Sequence, residues 1–155
     1  MTPKTKGWLY VLIQLVFFAL IAYSSMVEWN LLHNPHNEIT RIAGIVLISA
    51  GVLGLFFSIL GLGSSLTPSP VPLETAVLKT TGLYGIVRHP VYFFGLVFFT
   101  GFVLYHAAYF TSALLVMFFF FINKKSSFEE KLLIEKFPEY REYMSKTKKL
   151  IPFLY

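Results

Sequence analysis

Between Val91 and Ile122 the chain runs for 32 residues without a Lys, Arg, Asp or Glu. A segment that long and apolar has few physical options. As a single helix it would overshoot a bilayer core of about 30 Å by roughly half, at about 1.5 Å rise per residue. It is therefore expected to fold back on itself. Polarity returns at His106–Tyr109, which divides the run into helices at about 90–105 and 110–122. Pro90 suits the first turn of the former, where its missing N–H has no partner to lose. His106, at the turn, reads as an interfacial residue.

Two further runs have spanning length, at about 7–27 and 42–62. Lys4 and Lys6 precede the first, and Trp8, Tyr10, Tyr23 and Trp29 stand near its ends, as interfacial aromatics do. A cleaved signal peptide is the rival reading; the apolar run is too long for one and no small-residue cleavage site follows. The second run carries Gly44, Gly51 and Gly54 on one side, a small face that lets helices approach closely in lipid. Gly61 and Gly63 lack the strand–helix context of a dinucleotide loop. Between the runs, residues 28–41 read as a polar loop. His33 and His36 are spaced for a metal, but Pro35 and the lack of a third ligand point to plain loop, and no metal is expected.

Composition agrees. In 155 residues, 55% are hydrophobic, 14% charged and 17 are Phe, too little polar surface for a soluble domain. The absence of Cys excludes disulfides, thiolate metal sites and a cysteine nucleophile. The net charge of +5 does not mark a nucleic-acid partner, because the basic residues flank apolar runs, as headgroups and topology signals require. With four spans and both termini inside, 12 of the 13 Lys and Arg fall on the cytoplasmic side. The expectation is an all-α integral membrane protein, one domain over 1–155. It would have about four transmembrane helices and a cytoplasmic, amphipathic tail over 123–155 that lies in the interface with its lysines at the lipid surface. The setting is the inner membrane of a bacterium or archaeon.

The segment from Gly82 to Gly95, GLYGIVRHPVYFFG, sets Arg88 and His89 directly against an apolar helix. It follows a loop over 63–81 whose Pro68, Pro70 and Pro72 forbid helix. A segment that only crossed a bilayer would not crowd charge, imidazole and tyrosines at its mouth. We read it as the entrance to a polar pocket on the cytoplasmic face. By the charge count, Arg88, His89 and the charged tail lie on the same side and can meet.

The ordered set Gly82, Tyr84, Arg88, His89, Pro90, Tyr92 and Gly95, then Glu129, Glu130 and Leu133, then Phe137, Tyr140 and Tyr143, then Ile151 and Pro152 resembles the isoprenylcysteine carboxyl methyltransferase and phospholipid methyltransferase superfamily. The resemblance covers roughly 41–155. Leu83 stands where members commonly have Pro, and Lys124-Lys125 where they often have Arg. It implies S-adenosylmethionine as methyl donor, with S-adenosylhomocysteine as product, bound between the Arg88-His89-Pro90 region and the Glu pair.

The chemistry of the residues fits that implication. A carboxylate is matched bidentately by Arg, here Arg88. An ammonium and ribose hydroxyls want acceptors such as Glu129 or Glu130. A sulfonium favours aromatic faces, offered by Tyr84 and Tyr92. A lipophilic or prenylated acceptor would enter from the lipid. If it were an amine, Glu130 or His89 would take its proton. Two other readings stay open: an NADPH-dependent membrane reductase of the sterol-reductase type, which would need a larger basic site, and a non-catalytic membrane partner protein.

Overall fold

Helix propensity carries the apolar runs past the lengths a bilayer demands. In the computed structural model, which describes residues 1–32 and 37–155, α1 spans Pro3–Leu32 and α2 spans Glu38–Leu62. Both extend into polar flanks, so the polar loop expected over 28–41 is largely absorbed into helix ends. His33 and His36 lie outside the described residues. Asn37 caps α2 by accepting the Ile39 N–H at 2.9 Å.

The division of the long apolar run falls where polarity predicts. α3 spans Pro90–Tyr105 and α4 Thr111–Lys136. The turn needs a left-handed residue, supplied by Ala107 at φ 48°. α4 starts with exposed N–H groups, and a carboxylate from another helix meets them. Glu28 of α1 accepts from Phe110 N at 2.9 Å, Thr111 N at 2.7 Å and Thr111 Oγ1 at 2.6 Å. An anion at a helix N-terminus is also favoured by the helix dipole. α4 continues through its charged half until Phe137 and Pro138, and α5 follows at Tyr140–Lys146. Among the described residues there is no strand, only a parallel bridge between Val87 and Lys148. The fold is all-helical.

Among the described residues two helices, α1 and α2, are long and apolar enough to cross a membrane. Their most apolar stretches are only 11% and 17% buried, the reverse of a core helix in a soluble protein. Leu12, Leu15, Val52, Phe56 and Phe57 point outward, an apolar surface that suits lipid.

The small face expected on α2 is the face packed on α3. A Cβ added at Gly51 would stand 2.7 Å from the Phe98 backbone N and Cα, and one at Gly44 2.7 Å from Tyr105 N. From the other side, a Cβ at Gly101 would stand 2.6 Å from Ile48 N. These are backbone contacts that no rotamer relieves. α1 packs on α4, and α3 touches both. The core lies where Ile21, Phe99, Val103, Phe118 and Ile122 converge.

Gly95 differs from these glycines, since a Cβ there meets nothing within 4 Å. Replacing Gly51 by Ala should therefore lower the melting temperature in detergent, by an overpacking cost of about 1–3 kcal/mol. Gly95→Ala should leave it unchanged or raise it, by up to about 1 kcal/mol of recovered helix propensity.

Candidate functional site

The site is assembled at the N-terminal mouth of α3 by three segments far apart in sequence. Gly82, at φ 62°, turns the chain into a short 3-10 helix over Gly82–Gly85. Residues 86–89 then run beside the C-terminal segment. Arg88 N donates to Lys148 O at 2.8 Å, His89 N to Lys149 O at 3.2 Å, and Lys148 N to Ile86 O at 3.3 Å. This pairing draws α5 and the tail over the start of α3. Tyr143 reinforces it by donating its hydroxyl to Tyr84 O at 2.5 Å, while the Tyr84 hydroxyl reaches Ser58 O of α2 at 3.2 Å.

Arg88 and Glu130 form the centre. Arg88 Nε donates to Glu130 Oε1 at 2.6 Å, and both side chains are 9% exposed. Arg88 Nη1 donates to Thr147 O at 2.5 Å and Met144 O at 3.2 Å. The guanidinium thus ties α4 to the end of α5, leaving Nη2 without a partner among the described residues. Burial alone would raise the Glu130 carboxyl. The neighbouring His89 ring and Arg88 guanidinium outweigh burial and hold it below the usual carboxylate range.

His89 and Glu129 complete the cluster. The Tyr92 hydroxyl donates to Glu129 Oε2 at 2.7 Å. His89 stacks on Tyr92, ring centroids 5.3 Å apart. Its Nδ1 lies 3.9 Å from Glu129 Oε2 and its Nε2 3.4 Å from Glu130 Oε1. The geometry at Nε2 is too poor for a hydrogen bond, so this buried nitrogen has only the Glu130 carboxylate at ion-pair distance. A buried polar atom without a hydrogen bond is costly.

The structure therefore brings Tyr84, Arg88, His89, Tyr92, Glu129 and Glu130 into one connected cluster. Of these, Tyr84, Arg88, His89 and Glu129 line a cleft with about 560 Å³ of empty space out to its mouth. Glu130 sits behind Arg88, and Tyr92 faces a different cavity. The proline-rich loop roofs the cleft with Thr67, Ser69, Val77 and Lys79, and Leu133, Phe137 and Tyr140 form its apolar wall. The loop is held in place by Lys136, whose ammonium donates to Leu73 O and, at 2.8 Å, to Glu74 O. Burial pushes the Tyr84, Tyr140 and Tyr143 hydroxyls well above the ordinary tyrosine range, so they stay neutral, and those of Tyr84 and Tyr143 serve as donors.

Two lysines depart from the lipid-surface role expected of the basic tail. Lys149 is folded inward, donating to Asn123 Oδ1 and Ser127 Oγ, each at 2.6 Å, and to Asn123 O at 3.1 Å. Lys125 is 1% exposed, with its ammonium on Gln14 Oε1 at 2.5 Å and 5.0 Å above the Tyr92 ring. Their partners lie 22 to 26 residues away for Lys149 and 111 for Lys125, beyond any local pattern. The only sequence signal was the departure from Arg at Lys125.

Removing one member of the central pair leaves a buried charge uncompensated, at about 3–5 kcal/mol. Glu130→Gln should lower detergent stability accordingly. The sign with pH follows from the depressed carboxyl. The Glu130 contribution is present above the ordinary carboxylate pKa of about 4.3 and is lost as pH falls through the lowered value. A melting-temperature series toward low pH should fall more steeply for wild type than for Glu130→Gln.

Comparison with curated proteins returns no match. A family model, Phospholipid methyltransferase, matches residues 39–140, from the start of α2 to the start of α5 and so including every residue of the polar cluster. That span is well over half of the chain, and the chain belongs to the phospholipid methyltransferase family, among the membrane methyltransferases like isoprenylcysteine carboxyl methyltransferase.

Proposed function

We propose that this membrane methyltransferase transfers a methyl group from S-adenosylmethionine to a lipophilic acceptor at the cytoplasmic membrane face. The observation that carries the reading is the buried His89 Nε2, which makes no hydrogen bond, set among two carboxylates in a cleft closed by the C-terminal segment. The donor set fits the cofactor. The anionic end matches Lys79 and the unused Arg88 Nη2 edge. The ammonium and ribose hydroxyls match Glu129, and the base matches the wall of Leu133 and Phe137. When bound, S-adenosylmethionine supplies a methyl group activated on a sulfonium.

The chain's own residues position and handle protons. With Nε and Nη1 engaged, Arg88 holds its charge fixed beside the cleft rather than swinging as a free fork. Glu130 is a weak base, since its neighbours favour the ionised form; its role is to position Arg88 and His89. His89 is the group placed to take a proton from an amine acceptor, while a carboxylate acceptor such as an isoprenylcysteine would need none. Neutral tyrosine hydroxyls complete the wall, and positioning supplies most of the rate.

The domain covers 1–155 as one unit, with four spans and both termini cytoplasmic. α3, at 16 residues, rises only about 24 Å, short of a bilayer core of about 30 Å. Its N-terminal cluster therefore sits sunk into the interface, within reach of lipid headgroups.

Isothermal calorimetry with S-adenosylhomocysteine on detergent-purified protein tests the cofactor. Wild type should bind in the micromolar range, and Glu129→Gln should lose about tenfold or more, because hydrogen bonds to charged groups contribute roughly 1.5–3 kcal/mol. Absence of binding to protein that melts cooperatively would sink the reading. Topology has its own test, since the chain lacks Cys. A membrane-impermeant maleimide should label Ser112→Cys in intact cells, and Lys146→Cys only after permeabilisation.

A further inference from the structure

Of the charged side chains described, Lys125 is the most deeply buried, at 1% exposed, yet binding and proton transfer in the cleft make no use of it. Its ammonium donates to Gln14 Oε1 at 2.5 Å and to Pro68 O at 3.4 Å, and stands 5.0 Å from the centre of the Tyr92 ring. Among the described residues no carboxylate lies within ion-pair distance of it. A buried charge held only by neutral dipoles and an aromatic face is costly. Methionine would fill much the same space without that cost.

The surroundings show what the charge reaches. α1 brings Gln14, the proline-rich loop brings the Pro68 carbonyl, and α3 brings the Tyr92 ring. On α4 itself, Glu129 stands one turn further along on the same side, and its field acts on Lys125. The tail's inward cation, Lys149, is bound to Asn123 and Ser127, which the helical repeat puts on the opposite side of α4.

Tyr92 joins the two charges of α4. Lys125 stands over its ring, and its hydroxyl donates to Glu129 Oε2 at 2.7 Å. A cation over a ring draws electron density toward itself, which makes the phenol a stronger donor. The same charge favours the ionised carboxylate directly. Of the three residues only Glu129 lines the cleft, so it is the end of the chain that a ligand touches. Burial outweighs the field of Glu129 and lowers the Lys125 ammonium to about 8. Its charge can therefore be lost just above neutrality, which the charge of an arginine could not.

We propose that Lys125 is a positioning residue: its positive charge, acting through Tyr92, keeps Glu129 ionised and held at the cleft, and loss of its proton weakens ligand binding there. Which ligand binds rests on the methyltransferase reading; the buried, titratable charge does not. The sign for stability follows from the lowered value. Below about 8 the folded chain bears the full cost of the buried charge, and that cost falls away as pH rises from there toward the ordinary lysine value of 10.5.

Two measurements on the detergent-purified full chain test this. The first compares melting temperatures of wild type and Lys125→Met from neutral pH upward. Wild type should gain on the variant as pH rises through about 8, and a gap that stays constant makes Lys125 a structural tie and overturns the proposal. The second is calorimetric affinity for S-adenosylhomocysteine. Lys125→Met should weaken it about tenfold at neutral pH, the scale of a hydrogen bond to a charged group, and Lys125→Arg should restore it. Wild-type affinity should decline through about pH 8 while that of Lys125→Arg holds. The ligand's own amino group titrates alike with both proteins, so the difference isolates Lys125. Gln14→Leu removes an acceptor that favours the charged form and should move the decline to lower pH; it carries the test if the Lys125 variants fail to fold. Unchanged affinity in Lys125→Met, or a decline that Lys125→Arg shares in full, overturns the proposal. A wild type that binds no S-adenosylhomocysteine yet gains on Lys125→Met with pH would keep the buried titrating charge and remove the methyltransferase reading.

Discussion

One buried ion pair, Arg88 with Glu130, stands where three parts of the chain far apart in sequence are locked together. The two residues are 42 positions apart, and the same guanidinium reaches the carbonyls of Met144 and Thr147. A buried pair gains little over an apolar pair of the same shape, because each ion loses its hydration. Its value lies in geometry. Three donors on one planar group fix α4, the end of α5 and the residues just before α3 relative to one another. The parallel pairing of Val87 with Lys148 then has only one register, and the tail is committed to covering the cleft.

That commitment explains why so polar a cluster is tolerated beside apolar helices. An unpaired charge at this depth would be expensive. Here Glu130 faces Arg88, Glu129 accepts from Tyr92, and Lys149 is surrounded by Asn123 and Ser127 oxygens. His89 Nε2 makes no hydrogen bond, and the Arg88 Nη2 edge is unused as well. In the proposed reading a ligand completes the set at these two nitrogens.

How far the sequence disclosed this depends on the range of the interaction. α3 was legible because its determinants are local: Pro90 opens it, and polarity at His106 closes it. The small face of α2 was legible because helical spacing puts Gly44, Gly51 and Gly54 together, although only the structure shows α3 as the partner. Both ends of α1 and the start of α2 lie beyond the apolar runs, because hydropathy reports where lipid ends and helices continue into water, whereas the end of α2 at Leu62 coincides with the end of its run. The cluster's membership followed from motif and topology, but the division of labour did not. Nothing near Arg88 in sequence says that two of its nitrogens are spent on Glu130 and on backbone carbonyls. Lys125 and Lys149 read as surface charge for the same reason, since their partners come from α1 and from the middle of α4.

The glycines carry the last step. Along α3, Gly101 and Gly95 look alike in sequence, six residues apart in one apolar helix. Gly101 lets two backbones touch, and so belongs to the stability of the α2–α3 pair. Gly95 touches nothing and weakens its own helix. Close packing normally eliminates such space, because each lost contact forfeits dispersion energy. A fold that packs α2 on α3 at backbone distance and leaves a cavity one and two-thirds turns further along the same helix is not loosely built. The void is bounded by side chains of all four long helices and ends at Tyr92, so it follows from how those helices pack.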